Sequence, residues 1–306
     1  MNQLTNTGTI PLVFGEVLFD CFEDGSQVLG GAPVNVASHL QAFGLHAVLI
    51  SRVGNDREGD KIRQAMREWK LSDEGLQSDS EHPTGKVTVS INQGEPSYDI
   101  VEHSAYDYIA AGCLPEGVVS NMLYHGTLAL RNAESVTALQ SLKSQHPSPI
   151  FMDVNLRDPW WKKEQVLSWM KDSTWLKINE HELADLASEG SNDIERATYL
   201  VEDCHLSLII VTRGSKGAIA INAENELFSI KPEAVADVVD TVGAGDAFAS
   251  VCMLGLSSGW DIQTILNRAQ HFASKMVTQR GATISDKTFY QPFIEQWSRQ
   301  LAQETN

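Results

Sequence analysis

An α/β architecture with a mostly parallel sheet is predicted by three features of this 306-residue chain. Short apolar runs recur, helical stretches fill the intervals, and no composition break divides the sequence. The runs are Leu12 to Leu18, Ala47 to Val53, Ile150 to Val154, Trp175 to Ile178 and Leu208 to Thr212. Runs this short and this apolar suit strands buried on both faces. Residues 33–43, 56–70, 181–189, 193–203 and 246–258 carry the apolar spacing of helices, and their alternation with the runs implies helices laid over a sheet. The length suits one large domain or two smaller ones; lacking a break, residues 1–306 are read as one domain.

Two segments depart from this rhythm, about 16–29 and 84–104. In the second, Lys86 to Ile91 alternates, Asn92-Gln93-Gly94-Glu95 turns, and Ser97 to Val101 returns, which predicts a hairpin.

Forty acidic against 23 basic residues give a formal net charge of -17, which argues against nucleic acid or an anionic membrane as partner. A phosphorylated ligand would need local holding features. Cys21, Cys113, Cys204 and Cys252 show no C-x-x-C spacing, so neither a zinc site nor a disulfide framework is indicated, and a reducing cytoplasm is expected. Met1 to Ile10 has no basic segment leading into an apolar one, and no long apolar segment follows, so neither a secretory signal nor a membrane span is expected.

The most informative stretch is Val238 to Phe248, where Asp246 stands directly behind the turn Gly243-Ala244-Gly245. Ala234 to Val239 reads as a buried strand end, and the chain turns helical from Asp246. The N–H groups of residues 243–245 would then be unpaired at a helix N-terminus, where an anion binds readily. A plain connector with a capping aspartate fits the same residues. Near the other end, Gly30-Gly31-Ala32-Pro33-Val34-Asn35 opens a helix with Pro33 in its first turn; the glycines admit close backbone approach, and Asn35 offers both a donor and an acceptor.

Together these stretches resemble the two signatures of the PfkB, or ribokinase-like, family of carbohydrate kinases, and motifs between them occur in the family's order. The resemblance spans roughly residues 10 to 290. It implies a three-layer sandwich and a small β lid, built from the two departing segments, that closes over a sugar. It implies Asp246 as the base that takes a proton from a hydroxyl, with Gly243, Ala244 and Gly245 holding the transferred phosphoryl group. Asp20, Gly30, Gly31 and Asn35 would face the sugar. Lys177-Ile178-Asn179-Glu180-His181-Glu182 contains the family's N-x-x-E, in which Asn179 and Glu182 organise magnesium, largely through water. Thr212, Gly214 and Gly217, on a loop following a buried strand, would contact the nucleotide, Lys216 being either near phosphate or solvated. The helix containing Asn267 would line the adenine pocket. The carbonyls of Asp240, Val242 and Gly281 would hold a monovalent cation such as K+. Asp153-Val154-Asn155-Leu156-Arg157 is similar to the D-x-N-x-R of fructokinases and 2-keto-3-deoxygluconate kinases, with Arg157 beside the phosphoryl group. Gly126 to Arg131 also resembles the fructokinase branch, whereas Trp160 and Trp161 read as packing. The implied activity is transfer of the ATP γ-phosphoryl group to a primary hydroxyl, fructose at its 6-position, and pairing of lids would make a homodimer.

Other classes fit less well. No G-x-x-x-x-G-K-[ST] is present, which disfavours P-loop kinases, and no G-x-G-x-x-G follows the first strand, which sets aside a Rossmann dehydrogenase. H-E-x-x-H fails at Asp185. Within the family, ribokinase, 2-keto-3-deoxygluconate kinase and nucleoside kinase remain alternatives. Outside catalysis, so does a sugar-responsive regulatory protein.

Overall fold

Residue-by-residue alternation along the inner strands sorts side chains into two opposed cores. In the computed structural model, which describes residues 10–92, 95–232 and 237–304, strand β1 (Ile10–Phe14) leads to β2 (Leu18–Phe22) and β3 (Gln27–Gly30). Helix α1 (Ala32–Ala42), β4 (Val48–Gly54), α2 (Arg57–Trp69) and β5 (Leu76–Asp79) follow, then β6 (Gly85–Asn92) and β7 (Glu95–Ile100). The middle of the chain contributes β8 (Ser120–His125), α3 (Ala133–Gln145), β9 (Ile150–Asp153), α4 (Lys163–Lys171), β10 (Trp175–Asn179), α5 (Glu180–Leu186), α6 (Asp193–Cys204) and β11 (Leu208–Thr212). The hairpin β12 (Ala218–Asn222) and β13 (Leu227–Ile230) and the helices α7 (Ala244–Ser258), α8 (Ile262–Met276) and α9 (Gln291–Glu304) complete it.

The large sheet runs β13-β12-β11-β10-β9-β8-β1-β4-β5, antiparallel only at β11–β12 and β12–β13. Val13, Leu49, Phe151 and Ile210 pack with α1, α2, α7, α8 and α9. Their neighbours Leu12, Val48 and Ile150 join α3 on the opposite face, as Ile209 joins α4, α5 and α6. The result is the expected three-layer sandwich. Sheet growth changes direction at β1, which lies between β8 and β4, and that reversal opens a crevice at the carboxyl ends of the strands.

The lid is a second sheet, β3-β2-β6-β7, drawn from the two segments that broke the α/β rhythm. Its hairpin turn at Gln93 and Gly94 lies outside the described residues. Asp56 anchors one stem by accepting from the Thr84 amide and hydroxyl at 2.8 and 2.6 Å. Arg131 anchors the other, donating to Val101 O and pairing with the buried carboxylate of Asp107.

Two expectations change. The run Leu12 to Leu18 is not one strand: Gly15, at φ 148° with Pro33 against it, breaks it, and Leu18 begins the lid. The strand end at 234–239 does not form over 237–239, where Val238 and Val239 are 57% and 61% exposed, while 234–236 lie outside the described residues. Their β-branched character raised the strand reading, but both are exposed and belong to no strand, and Val238 borders a cavity.

An aromatic cluster joins α1, α8 and α9 through Phe43, Phe272, Tyr290, Phe293 and Trp297, with His39 at its edge. His39 Nε2 lies 3.0 Å from Ala282 O, which can only accept, so Nε2 carries the proton and Nδ1 accepts from Tyr290 Oη at 2.9 Å. Burial depresses the imidazole to about 4, against an ordinary 6.5, and His125 is depressed likewise to about 4. The unfolded chain therefore takes up these protons first, and stability is lost as pH falls from 6.5 towards 4. The unfolding free energy from urea titration is expected to fall between about pH 7 and 5, by on the order of 1–2 kcal/mol per histidine. In His39→Gln, which keeps neutral hydrogen bonding, that pH slope should flatten; an equal slope would remove His39 as its source.

Candidate functional site

The crevice at the strand ends receives two helix N-termini. Gly31, at φ 112°, sits where any Cβ would come within 2.7 Å of Glu16 O, so α1 starts hard against the end of β1. Asn35, in the first turn of α1, donates through Nδ2 to Asp246 Oδ2 at 2.8 Å. Asp246 is the third residue of α7. Gly243, at φ 77°, caps that helix, and a Cβ there would lie 2.3 Å from Ala282 Cβ. Since Ala282 O is the partner of His39, the aromatic core, α1 and the glycine turn form one connected support.

A dipole argument alone makes Asp246 more acidic than usual. The structure reverses this. Burial raises its carboxyl above the ordinary value; the Asn35 hydrogen bond opposes the rise, Asp153 adds to it, and Lys177 and Arg157 oppose it.

The turn also keeps fewer free amides than the glycines suggest. Val242 N donates to Asp240 Oδ1 at 2.9 Å, and Ala244 N turns back to Thr241 O at 3.3 Å. Among the described residues, Gly243 and Gly245 keep their N–H groups for a ligand, so Ala244 drops out as an amide donor while remaining a wall residue. The reason is local: an Asx turn at Asp240 and a tight turn at Thr241 form before the helix begins.

Two cavities meet at this turn. The first, about 570 Å³, is bordered by Asp20, Gly30, Gly31, Asn35, Arg157 and Asp246, so the lid, α1, the loop after β9 and α7 converge there. The second, about 680 Å³, is bordered by Thr212, Gly214, Gly217, Ala244 and Phe248, with Gln270, Ala273, Ser274 and Val277 of α8. Thr241 and Gly245 border both. Asn267 does not reach the second cavity; it lines a separate groove with Thr264 and His271. The cavity lies beside the C-terminal half of α8, and Asn267 is two turns, roughly 10 Å, short of Ser274.

Arg157 is exposed at the first cavity and lowers the carboxyl pKa of Glu16, Asp20 and Asp246 without a direct ion pair to them among the described residues. For Asp20, burial wins and the carboxyl is raised. Lys216 pairs with Glu180 at 2.7 Å and does not border the second cavity. Trp160 lies under the Arg131 guanidinium at 4.5 Å, and Trp161 donates to Asp158 Oδ1, which are packing roles.

The N-x-x-E motif closes on itself. Asn179 Oδ1 accepts from the His181 and Glu182 amides, Glu182 Oε2 accepts from Asn179 N, and Glu182 Oε1 accepts from Leu156 N. These bonds form a capping box that also ties α5 to the loop bearing Arg157. Burial raises Glu182, opposed by the Asn179 amide. Neither Asn179 nor Glu182 borders either cavity, and among the described residues no three His, Cys, Asp or Glu side chains cluster as a cage. Their oxygens suit a hydrated cation better than a directly coordinated one. Asp240 reaches across with Oδ2 to accept from Gly281 N at 3.0 Å, which brings the 240–242 and 281 segments side by side.

Three contributors, Lys177, Asp153 and Glu16, receive no role from the motifs, although Asp153 and Lys177 open two of the motif segments. Lys177 Nζ donates to both oxygens of Asp153 at 2.8 and 2.9 Å, in a buried pair whose ammonium lies 3.6 Å from the position of a Gly245 Cβ. Burial works against the Lys177 charge, and Asp153 outweighs it. Glu16, 3% exposed, borders the first cavity, with its carboxyl raised by burial to about 7. The sequence signal for all three was present: charged residues inside runs otherwise apolar, where an unpaired charge is too costly to bury.

The profile described as pfkB family carbohydrate kinase matches residues 22–288. A fructokinase of Salmonella typhimurium is 27% identical over 293 residues, covering 88% of this chain and 94% of its own. An aminoimidazole riboside kinase of the same organism is 27% identical over 268 residues, 83% of each chain. The crystal structure of a fructokinase from Vibrio cholerae with fructose, ADP and calcium bound shares the fold, with a TM-score of 0.80, 24% identity, and coverage of 92% of this chain and 96% of that one. No described helix is long and apolar enough to cross a membrane. Matched over most of its length and through both ends of the crevice, the chain belongs to the PfkB family of carbohydrate kinases.

Proposed function

We propose that this kinase transfers the γ-phosphoryl group of ATP to a primary hydroxyl of fructose, at its 6-position. The observation that carries the reading is the meeting of two cavities at Thr241 and Gly245, with Asp246 on one side of the junction. The 680 Å³ cavity suits a nucleotide, whose phosphates would point along the glycine turn towards the 570 Å³ cavity. There Asp246 accepts the hydroxyl proton, and Asn35 orients it. A weak base suffices, because phosphoryl transfer passes through a loose transition state. The Gly243 and Gly245 amides, Arg157 and the buried ammonium of Lys177 offset charge on the phosphoryl oxygens. Magnesium, when bound, neutralises phosphate charge; Asn179 and Glu182 would hold it through water. The carbonyls of Asp240, Val242 and Gly281 would hold a monovalent cation such as K+. Exposed apolar lid side chains, Phe22 at 39% and Val101 at 37%, support pairing of two lids in a homodimer, and the cysteine pattern supports a cytoplasmic enzyme.

Fructose is favoured by the fructokinase relatives, and the equally identical aminoimidazole riboside kinase keeps ribosides as a second reading. ATP consumption with fructose, ribose, 2-keto-3-deoxygluconate and adenosine separates these by kcat/KM. Absence of turnover with every sugar would instead support a regulatory, non-catalytic protein.

Asp246→Asn should keep the fold and much of the sugar affinity while lowering kcat by at least ~10². Near-full turnover would remove Asp246 from the base role. Gly245→Val places a side chain into the junction of the cavities and should lower kcat; unchanged turnover counts against the anion site. Because burial lifts Asp246 and the charged form is the base, kcat falls as pH drops through its elevated pKa. In Asn35→Ala, loss of the opposing hydrogen bond should move that acid limb to higher pH.

A further inference from the structure

The fold leaves two buried oxygens without a partner at the first cavity. Glu16 Oε2 has no hydrogen-bond partner among the described residues, and the side chain is almost fully buried. Asn35 is 4% exposed; its Nδ2 is engaged by Asp246, and its Oδ1 is also unpartnered. Both residues border the same 570 Å³ cavity. A buried polar atom left unsatisfied is destabilising, so such atoms in a folded protein call for an explanation. Two in one cavity, on two different elements, are explained together by a ligand that brings donors.

The backbone holds Glu16 in place. Gly15 is wedged against Pro33, and Gly31 lies against the Glu16 carbonyl, so the backbone that carries the side chain cannot shift without moving α1. We infer, on the kinase reading above, that Glu16 is a further acceptor-binding residue: its Oε2, with Asn35 Oδ1, takes hydrogen bonds from hydroxyls of the phosphoryl acceptor and so selects a polyhydroxylated molecule. A site built to pair a hydroxyl rejects an analogue lacking it far more strongly than an apolar wall rejects a change of size.

The charge environment sharpens this role. Arg157 and Asp246 act on Glu16 across the cavity, and the buried phenols of Tyr106 and Tyr124 are coupled to it. Burial raises its carboxyl to about 7; its own amide and Arg157 oppose the rise, Asp246 reinforces it, and the Ala32 amide opposes it. Glu16 is therefore near half ionisation at neutral pH. A hydroxyl donates more strongly to a carboxylate than to a carboxylic acid. Acceptor binding then lowers the Glu16 pKa and releases a proton, so affinity rises with pH through about 7 and levels off above it. A carbonyl or ether in that position can only accept from the protonated form and gives the opposite slope.

Turnover of fructose by the wild-type enzyme is established first; its absence defeats the choice of sugar, not the role of Glu16, and the acceptor the enzyme does use takes its place. Fructose binding is then measured calorimetrically at about pH 6 and about pH 8, in buffers of differing ionisation enthalpy. The wild type should bind more tightly at the higher pH and release part of a proton. Glu16→Gln, equal in shape and unable to ionise, should bind about tenfold more weakly at the higher pH, with no pH dependence and no proton release. Its ATP affinity should be unchanged, which reports an intact fold. Among singly deoxygenated fructoses, one should bind wild type and variant alike and show no pH dependence with the wild type. Equal fructose affinity and equal proton release in the variant would overturn the inference. If the variant does not fold, the deoxygenated series with the wild type decides alone, and pH dependence retained by every analogue overturns it.

Discussion

The hydrogen bond from Asn35 to Asp246 joins two helix N-termini that lie 211 residues apart in sequence, and the site exists only where it forms. It requires α1 and α7 to start at the same crevice, which in turn requires β1 at the point where the sheet reverses direction. Gly31 and Gly243 permit the approach, because at both places the neighbouring backbone occupies the volume a side chain needs. Behind them, His39, Tyr290 and Ala282 hold the geometry with neutral hydrogen bonds inside an aromatic core. A charged imidazole there would need solvation that the core cannot supply. Rigidity of the crevice therefore comes from packing far larger than the crevice itself.

Electrostatics in the site run against the charge of the whole molecule. The chain is strongly acidic, and the crevice itself collects Glu16, Asp20 and Asp246, with Asp153 buried and paired with Lys177. Burial pushes Glu16, Asp20 and Asp246 towards neutrality, while Arg157 at the surface and Lys177 beneath the glycine turn favour charge. The Asp153–Lys177 pair is net neutral, yet its ammonium lies nearer the turn, so it presents positive potential to Gly245. An excess of carboxylates thus coexists with positive potential beside Gly245 through the order in which charges are layered.

The residues that the motifs single out come together in space where a residue's type is demanded by backbone geometry. Gly30, Gly31, Asn35, Gly243, Gly245 and Asp246 converge on the first cavity, as expected from two glycine turns each opening a helix. Motif reading was weaker for residues whose role depends on a neighbour. Asn179 and Glu182 were marked as metal organisers, and in the fold they cap their own helix and grip Leu156 N. Asn267 lies on the helix that borders the second cavity, but it lines a separate groove because it stands two turns before Ser274. Glu16 and Lys177 went unmarked because each lies in an apolar run that reads as core.

Alternation of apolar runs with helices was enough to determine a mostly parallel sheet covered by helices, since buried parallel strands and amphipathic helices have distinct periodicities that need no knowledge of distant contacts. The two glycine turns and the aspartate behind one of them were likewise local, dictated by backbone conformations and helix ends. Tertiary structure alone decided the acidity of Asp246, which burial raises although its helix position favours ionisation. It also decided which amides remain free, which charges face the turn, and that Glu16 ends beside the cavity with an oxygen unpaired. The reason is common to all of these: desolvation and charge coupling depend on separation in space, and the chain sets that separation only after its ends have met.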